Sequence, residues 1–259
     1  MKLGLEGKKA IVGGGSSGLG KAIASALSQE GAEVLILARD ENKLAATAEE
    51  IQSLTGNQVG YASVDLSKAE QRATIIERCQ ETDILVNNSG GPPMGDYLNI
   101  SHDQWLAALE ANMLSAIELI NASLPGMCDR GFGRVLNVTS HMVKSPVSAL
   151  SLSNGARAGL TAYVVGIARD VARHNVTLNN LLPGQFETER LRQNHNRFAI
   201  SQGVSLEETQ KGAQRAIPAK RFGKPEEFGA YAAFLASEYA GYITGQNLLL
   251  DGGQYHGLL

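Results

Sequence analysis

Short apolar runs alternate with longer stretches in which apolar residues recur every third or fourth position. The runs at 10–13, 33–38, 58–64, 84–87, 135–139, 176–182 and 247–250 predict seven buried β-strands. Between them, 19–30, 41–54, 68–80, 103–124, 150–173 and 225–237 carry the helical period; Trp105, Leu109, Met113, Ile117, Ile120 and Leu124 mark one such face. Strand and helix alternate throughout, and the strands are apolar on both faces. That pattern predicts an α/β fold, a doubly wound parallel seven-stranded sheet with helices on either side, built as one domain over 1–259. One segment breaks the rhythm: the polar stretch after the sixth strand, 186–216, predicts a helical flap. Ligands of such sheets bind beyond the carboxyl ends of the strands, which is where a flap there would lie.

Composition narrows the function. With 43% hydrophobic and 19% charged residues, 29 glycines and 7 prolines in 259 residues, the chain has the make-up of a folded globular protein. A net charge of −3 offers no basic field for a nucleic-acid backbone. Cys79 and Cys128 lack metal-ligand spacing and read as small core residues, the five histidines are scattered, and no metal site is expected. Nowhere do eighteen apolar residues follow one another, and the first twelve residues carry no export pattern, so the expectation is a cytoplasmic protein with no membrane partner.

Directly between the first strand and its helix stands Gly13-Gly14-Gly15-Ser16-Ser17-Gly18-Leu19-Gly20. Glycines there let the backbone turn sharply and approach a pyrophosphate at the helix N-terminus. The spacing Gly14-x-x-x-Gly18-x-Gly20 resembles that of the short-chain dehydrogenase/reductase family, and the match continues in family order. Asp65-Leu66 resembles its adenine-contacting pair, Asn87-Asn88-Ser89-Gly90 its Asn-Asn-Ala-Gly turn, Asn112 its structural asparagine and Ser140 its catalytic serine. Asn179, Pro183-Gly184 and Thr188 resemble the segment around the nicotinamide carboxamide, and 221–227, 242–246 and 251–253 match the C-terminal signatures.

The resemblance implies a Rossmann-type domain, a nicotinamide cofactor, a small carbonyl or alcohol substrate and a homotetramer, closest in pattern to the 3-oxoacyl-carrier-protein reductases. Its cofactor contacts carry over to Gly14, Ser16, Ser17, Gly18, Leu19, Gly20, Asp65, Leu66, Asn88, Ser89, Gly90, Pro183, Gly184 and Thr188.

The second strand ends in Ala38-Arg39, about twenty residues past the glycines, where an acid would hold the adenosine ribose of NAD. A guanidinium pairs with a 2′-phosphate, which a carboxylate repels, so Arg39 favours NADP. NAD stays as the alternative if the strand runs one residue further and brings Asp40 into reach.

In the family a Tyr-x-x-x-Lys pair follows the serine by thirteen residues. Positions 153 and 157 hold Ser153 and Arg157, and no Tyr-x-x-x-Lys occurs anywhere in the chain. A phenol of pKa about 10 beside an ammonium can exchange a proton near neutrality, whereas an aliphatic hydroxyl does so poorly and arginine stays charged. Arg157 can still supply positive charge and hold the nicotinamide ribose. His141, next to Ser140, is the leading replacement acid, with Lys144 and Tyr97 as others; it faces the substrate only if the chain has left the strand by then. The expectation is an NADP-dependent oxidoreductase with an atypical centre formed by Asn112, Ser140, His141, Ser153 and Arg157. The alternative is a catalytically silent nucleotide-binding protein of the same fold.

Overall fold

Successive residues of a strand point to opposite faces, so a strand covered on both sides has to be apolar at every position. In the computed structural model, which describes residues 2–258, seven strands obey this to different degrees: β1 (Lys9–Gly13), β2 (Glu33–Ala38), β3 (Val59–Ser63), β4 (Ile84–Asn87), β5 (Gly133–Val138), β6 (Val176–Pro183) and β7 (Asn247–Leu250). They form one parallel sheet in the order β3-β2-β1-β4-β5-β6-β7. The helices are α1 (Gly18–Gln29), α2 (Glu41–Thr55), α3 (Ala69–Ala73), α4 (Ile76–Glu81), α5 (His102–Leu109), α6 (Ser115–Arg130), α7 (Ser151–Val171), α8 (Glu189–Gln202), α9 (Leu206–Ala216) and α10 (Pro225–Ala236).

Two cores result. Ala10, Val12, Val86 and Leu136 pack with Ile23 and Leu27 of α1, Leu44 of α2 and Phe228 of α10. Their strand neighbours Ile11, Leu85 and Val135 pack on the opposite face with Cys79 of α4, Leu119 and Ile120 of α6, and Leu160 and Val164 of α7. The expected parallel, doubly wound architecture is therefore observed. Not all seven strands are buried, however. The edge strand β3 buries only Val59 and leaves Tyr61 exposed, and β7 at the other edge is half-buried, because each has a neighbour on one side only.

Two helices also differ from the periodicity. The stretch 68–80 is broken into α3 and α4, and Arg72 in α3 is 1% exposed. Its guanidinium donates to both Glu118 carboxylate oxygens (2.6 and 2.9 Å) and to the Leu66 carbonyl (2.7 Å), and it pairs with Glu110 at 2.6 Å. The stretch 103–124 runs on through Pro125 to Arg130, and between α5 and α6 it makes a five-residue π-turn, Glu110–Leu114.

On the α7 side of the sheet, Asn87, Asn137, Asn180 and Asn247 stand in register across β4, β5, β6 and β7. Asn87 Nδ2 donates to Asn137 Oδ1 (2.9 Å), Asn137 Nδ2 reaches the Asn179 carbonyl (3.5 Å), and Asn180 Nδ2 donates to Asn247 Oδ1 (2.9 Å). A buried amide is costly unless paired. This row therefore fixes the register of the strands just beneath the loops that leave β4, β5 and β6.

Candidate active site

The glycine turn after β1 is shaped by contact. Gly18 has φ +55° and faces Thr188, whose Cγ2 would lie 3.4 Å from a Cβ placed there. A Cβ on Gly20 would run into the Gly14 carbonyl. Leu19 packs against the α1-side core, and the Ser16 carbonyl accepts from Thr47 Oγ1 (3.1 Å). Asn88 Nδ2 donates to the Gly13 carbonyl (3.2 Å), tying the β4 loop to the turn.

Ser17 begins α1 without a side-chain cap, and the first turn of α1 holds no acid. Asp40, Ser101, Thr188 and Ser205 cap α2, α5, α8 and α9, whereas α7 shares with α1 an N-terminus with neither side-chain cap nor acid. Free N–H groups and the positive end of a helix dipole are thus presented to the cleft, a setting suited to phosphate. These residues fit the pyrophosphate of a dinucleotide.

At the end of β2, Arg39 is exposed. The strand stops at Ala38, and Asp40 accepts the Lys43 amide at 3.1 Å as the cap of α2. Its carboxylate is engaged by the helix. Asp65 is held by the Ser67 hydroxyl (2.7 Å) and amide (3.0 Å), and these bonds, with smaller help from Arg39 and Lys68, keep its carboxyl below the usual range. Leu66 lies beside it, its carbonyl on Arg72.

Across the sheet, the β4 loop meets the π-turn. Ser89 Oγ donates to the Ala111 carbonyl (3.0 Å) and approaches Asn112 Oδ1 (3.4 Å), and Asn112 is buried. π-turns inside longer helices are found frequently at functional sites.

Beyond β5 the chain has left the strand by Ser140, which begins a short 3-10 turn, His141–Val143. Ser140 Oγ accepts the Met142 amide (3.1 Å), so its own O–H is left to donate. His141 Nδ1 donates to the Pro183 carbonyl (3.0 Å) at the end of β6, which leaves Nε2 as the ring nitrogen without a protein partner. Lys144 instead lies 5.4 Å from the Tyr255 ring centre, and Tyr97 stands exposed in a groove with Trp105 and Val147. Gly184 packs against Asp251, its amide donating to the Leu250 carbonyl (2.8 Å).

On α7, Ser153 and Arg157 are buried on one face. Arg157 Nη1 donates to the Val138 carbonyl (2.7 Å) and Nη2 to the Ser89 carbonyl (3.2 Å). Burial, with the Arg190 guanidinium nearby, pulls the Arg157 pKa down to about 10, which keeps it charged at neutral pH. Ser153 Oγ makes no hydrogen bond within the described residues. Arg190, from α8, donates through Nη2 to the Gly91 carbonyl (2.9 Å). This contact joins residues 99 positions apart, and no local pattern announces it.

The site residues therefore fall into two groups. Gly14, Ser16, Ser17, Gly18, Gly20, Asn88 and Thr188 line one side, with Arg39 and Asp65 past β2 and β3. Ser89, Gly90, Asn112, Ser140, His141, Ser153, Arg157 and Pro183 gather past β4, β5 and β6.

Among known proteins, the family described as enoyl-(acyl carrier protein) reductase matches residues 14–255. The chain belongs to the short-chain dehydrogenase/reductase family. Within this family of oxidoreductases, it is 33% identical over 253 residues to the 3-oxoacyl-[acyl-carrier-protein] reductase FabG of Vibrio harveyi, covering 97% of this chain and 98% of that one. It is 32% identical over 254 residues to the D-beta-hydroxybutyrate dehydrogenase of Cupriavidus necator, covering 96% and 98%. The solved structure of L-sorbose reductase from Gluconobacter frateurii, complexed with NADPH and L-sorbose, superposes with a TM-score of 0.94 at 28% identity over the whole of both chains.

Proposed function

We propose that the protein is an NADP(H)-dependent oxidoreductase that interconverts a ketone and a secondary alcohol. The observation that carries this is the division of labour past β2: Asp40 is spent on capping α2, and Arg39 is left as the charged group beside the adenosine end. The uncapped α1 N-terminus, Gly18 and Thr188 would receive the pyrophosphate, and Asp65 and Leu66 the adenine. Asn88, Ser89 and Gly90 would line the ribose path, and Pro183 and Gly184 the nicotinamide. NADPH named with the Gluconobacter frateurii reductase supports the same choice.

When bound, reduced nicotinamide supplies a hydride to the carbonyl carbon of the substrate. Ser140 O–H donates to the carbonyl oxygen, Arg157 keeps positive charge beneath it, and Asn112 holds the β4 loop through Ser89. Ser153 and Arg157 stand where the family has its phenol and ammonium, so the proton must come from elsewhere. His141, charged for the step, releases the Nε2 proton to the oxygen and regains it from solvent, while its Nδ1–H stays on the Pro183 carbonyl.

The helices α8 and α9, within 186–216, act as the flap over the substrate, which sits inside a single domain, 1–259. A cytoplasmic homotetramer completes the proposal, with exposed Leu106 and Leu114 near the π-turn marking one interface and α10 with β7 the other. The test is a fluorescence titration of NADPH and NADH, followed by turnover on a ketone panel. Tighter NADPH binding, lost in Arg39→Ala, with turnover of at least one ketone is expected. Equal affinities would overturn the cofactor assignment, and tight NADPH binding without turnover would favour the silent nucleotide-binding alternative.

A further inference from the structure

Two arginines of the reaction end, the buried Arg157 and the exposed Arg190, stand close together with no carboxylate partner among the described residues. A methyl carbon placed on Gly91 would lie 3.6 Å from Arg157 Nη2, 3.8 Å from Arg190 Nη2 and 3.9 Å from Ser153 Oγ. Three polar heads from α7 and α8 thus surround one small space, kept open because residue 91 has no side chain. Among the described residues no carboxylate pairs with either arginine; Arg157 and Arg190 donate only to backbone carbonyls, and Ser153 Oγ is unbonded.

Arg72 has Glu110 and Glu118, Arg130 has Asp83, and Arg221 has Glu227. The buried Arg134, like Arg157, donates only to carbonyl oxygens, those of Gly133, Asn175 and Ser237, but its charged neighbour is Glu238, where that of Arg157 is a second guanidinium. Two guanidinium groups sharing a partly buried space without a counter-ion repel each other, and the depressed Arg157 pKa reflects both its burial and that neighbour. An anion between them would relieve the repulsion and accept from donors that are already aimed.

We propose that Arg190, with Arg157 and Ser153, forms an anion subsite for a carboxylate carried by the substrate, so that the ketone reduced here is an oxo acid. This rests on the oxidoreductase function proposed above. The space over Gly91 adjoins Ser153 and Arg157, at the reacting end. The pyrophosphate end is marked separately by Gly18 and Thr188. Placed there, a carboxylate takes one or two guanidinium bonds and the Ser153 hydroxyl, with the carbonyl turned toward Ser140 and His141. Arg190 is the specificity-determining member, because it belongs to the flap and is exposed without the ligand.

The same anion chemistry could come from a cofactor phosphate, and the experiment separates the two. Calorimetric titrations of 2-oxobutanoate, 3-oxobutanoate and the neutral 2-butanone into the protein, with and without saturating NADPH, are compared between wild type and Arg190→Gln. At least one oxo acid should bind about tenfold or more tightly than 2-butanone, equivalent to ~1.4 kcal/mol, and Arg190→Gln should abolish that ratio while changing NADPH affinity by less than about threefold. Acid and neutral ketone binding alike in wild type would overturn the proposal. So would a loss of NADPH affinity in Arg190→Gln as large as the loss for the acid, which would assign the arginines to the cofactor. Failure of NADPH to bind wild type would remove the oxidoreductase function alone; an Arg190-dependent carboxylate affinity in the cofactor-free protein would then still uphold the subsite, and its absence would sink both.

Discussion

The two halves of the cleft are built differently. Past β1 and β2 the chain enters its helices through short local devices: a glycine turn, the Asp40 cap three residues from its donor, and the Ser67 hydroxyl two residues from Asp65. Past β4, β5 and β6 the polar groups are buried and their partners distant. Asn87 meets Asn137, Arg157 meets Ser89 and Val138, and His141 meets Pro183. In the first half, the caps and surface carboxylates can be altered one residue at a time at small cost, whereas the glycines of the turn cannot, since a Cβ on Gly20 meets the Gly14 carbonyl. In the second, Asn87, Arg157 and His141 each hold another element in place, so chemistry and stability are coupled there.

Arg72 offers the largest expected effect, because it ties the Asp65–Leu66 loop to α6 across this divide. Arg72→Leu should lower unfolding free energy by about 2–3 kcal/mol, short of the full penalty for breaking a buried pair because Glu110 and Glu118 keep contact with water. Urea denaturation measures it. A loss under half a kilocalorie would mean that the two halves are not joined through this residue.

Asn137→Ala comes next. It strips Asn87 of its partner at the centre of the amide row, and chemical denaturation should show a loss of about 1–2 kcal/mol. Asn247→Ala, at the half-buried edge, should cost less; equal losses would contradict the idea that burial sets the value of each amide.

On the local side, Asp40→Ala should cost about 1 kcal/mol of stability as a lost helix cap. It should leave the preference for NADPH over NADH in place, since the carboxylate is engaged by Lys43 rather than by the cofactor. A shift toward NADH in Asp40→Ala, or toward NADPH, would show that Asp40 takes part in reading the ribose.

The smallest effect concerns pH. The Asp65 carboxyl is held below its ordinary value by Ser67, so its contribution to stability is present above the unfolded pKa and is lost as pH falls through the folded one. Wild type should exceed Asp65→Asn in stability at neutral pH, and the two melting temperatures should converge as pH falls below the ordinary carboxylate range. A constant gap would mean the carboxylate charge is not what Ser67 holds.

The same contrast decides how much could be read beforehand. The alternation of strands and helices and the glycine turn follow from local pattern, since short apolar runs, a period of 3.6 and a run of glycines are written in neighbouring residues. Arg39 could be singled out, but whether Asp40 competed with it depended on where β2 ended, which the cap on α2 decides. Ser153 and Arg157 were visible as residue types only by register against Ser140. The π-turn, the break between α3 and α4 and the Arg190–Gly91 contact were not legible: each follows from packing between segments tens of residues apart. The buried Arg72 explains the break, where a purely periodic reading runs one helix through.

The central claim is that the reaction end moves its proton through His141, without the family's phenol. Its most direct test is single-turnover oxidation of bound NADPH by an accepted ketone in wild type, His141→Ala and the double variant Ser153→Tyr/Arg157→Lys. His141→Ala should slow the step by about 10²–10⁴-fold, the worth of a positioned general acid, with NADPH affinity unchanged. A wild-type rate in His141→Ala, together with a large gain in the double variant, would show instead a centre that lacks its acid, and would contradict the account.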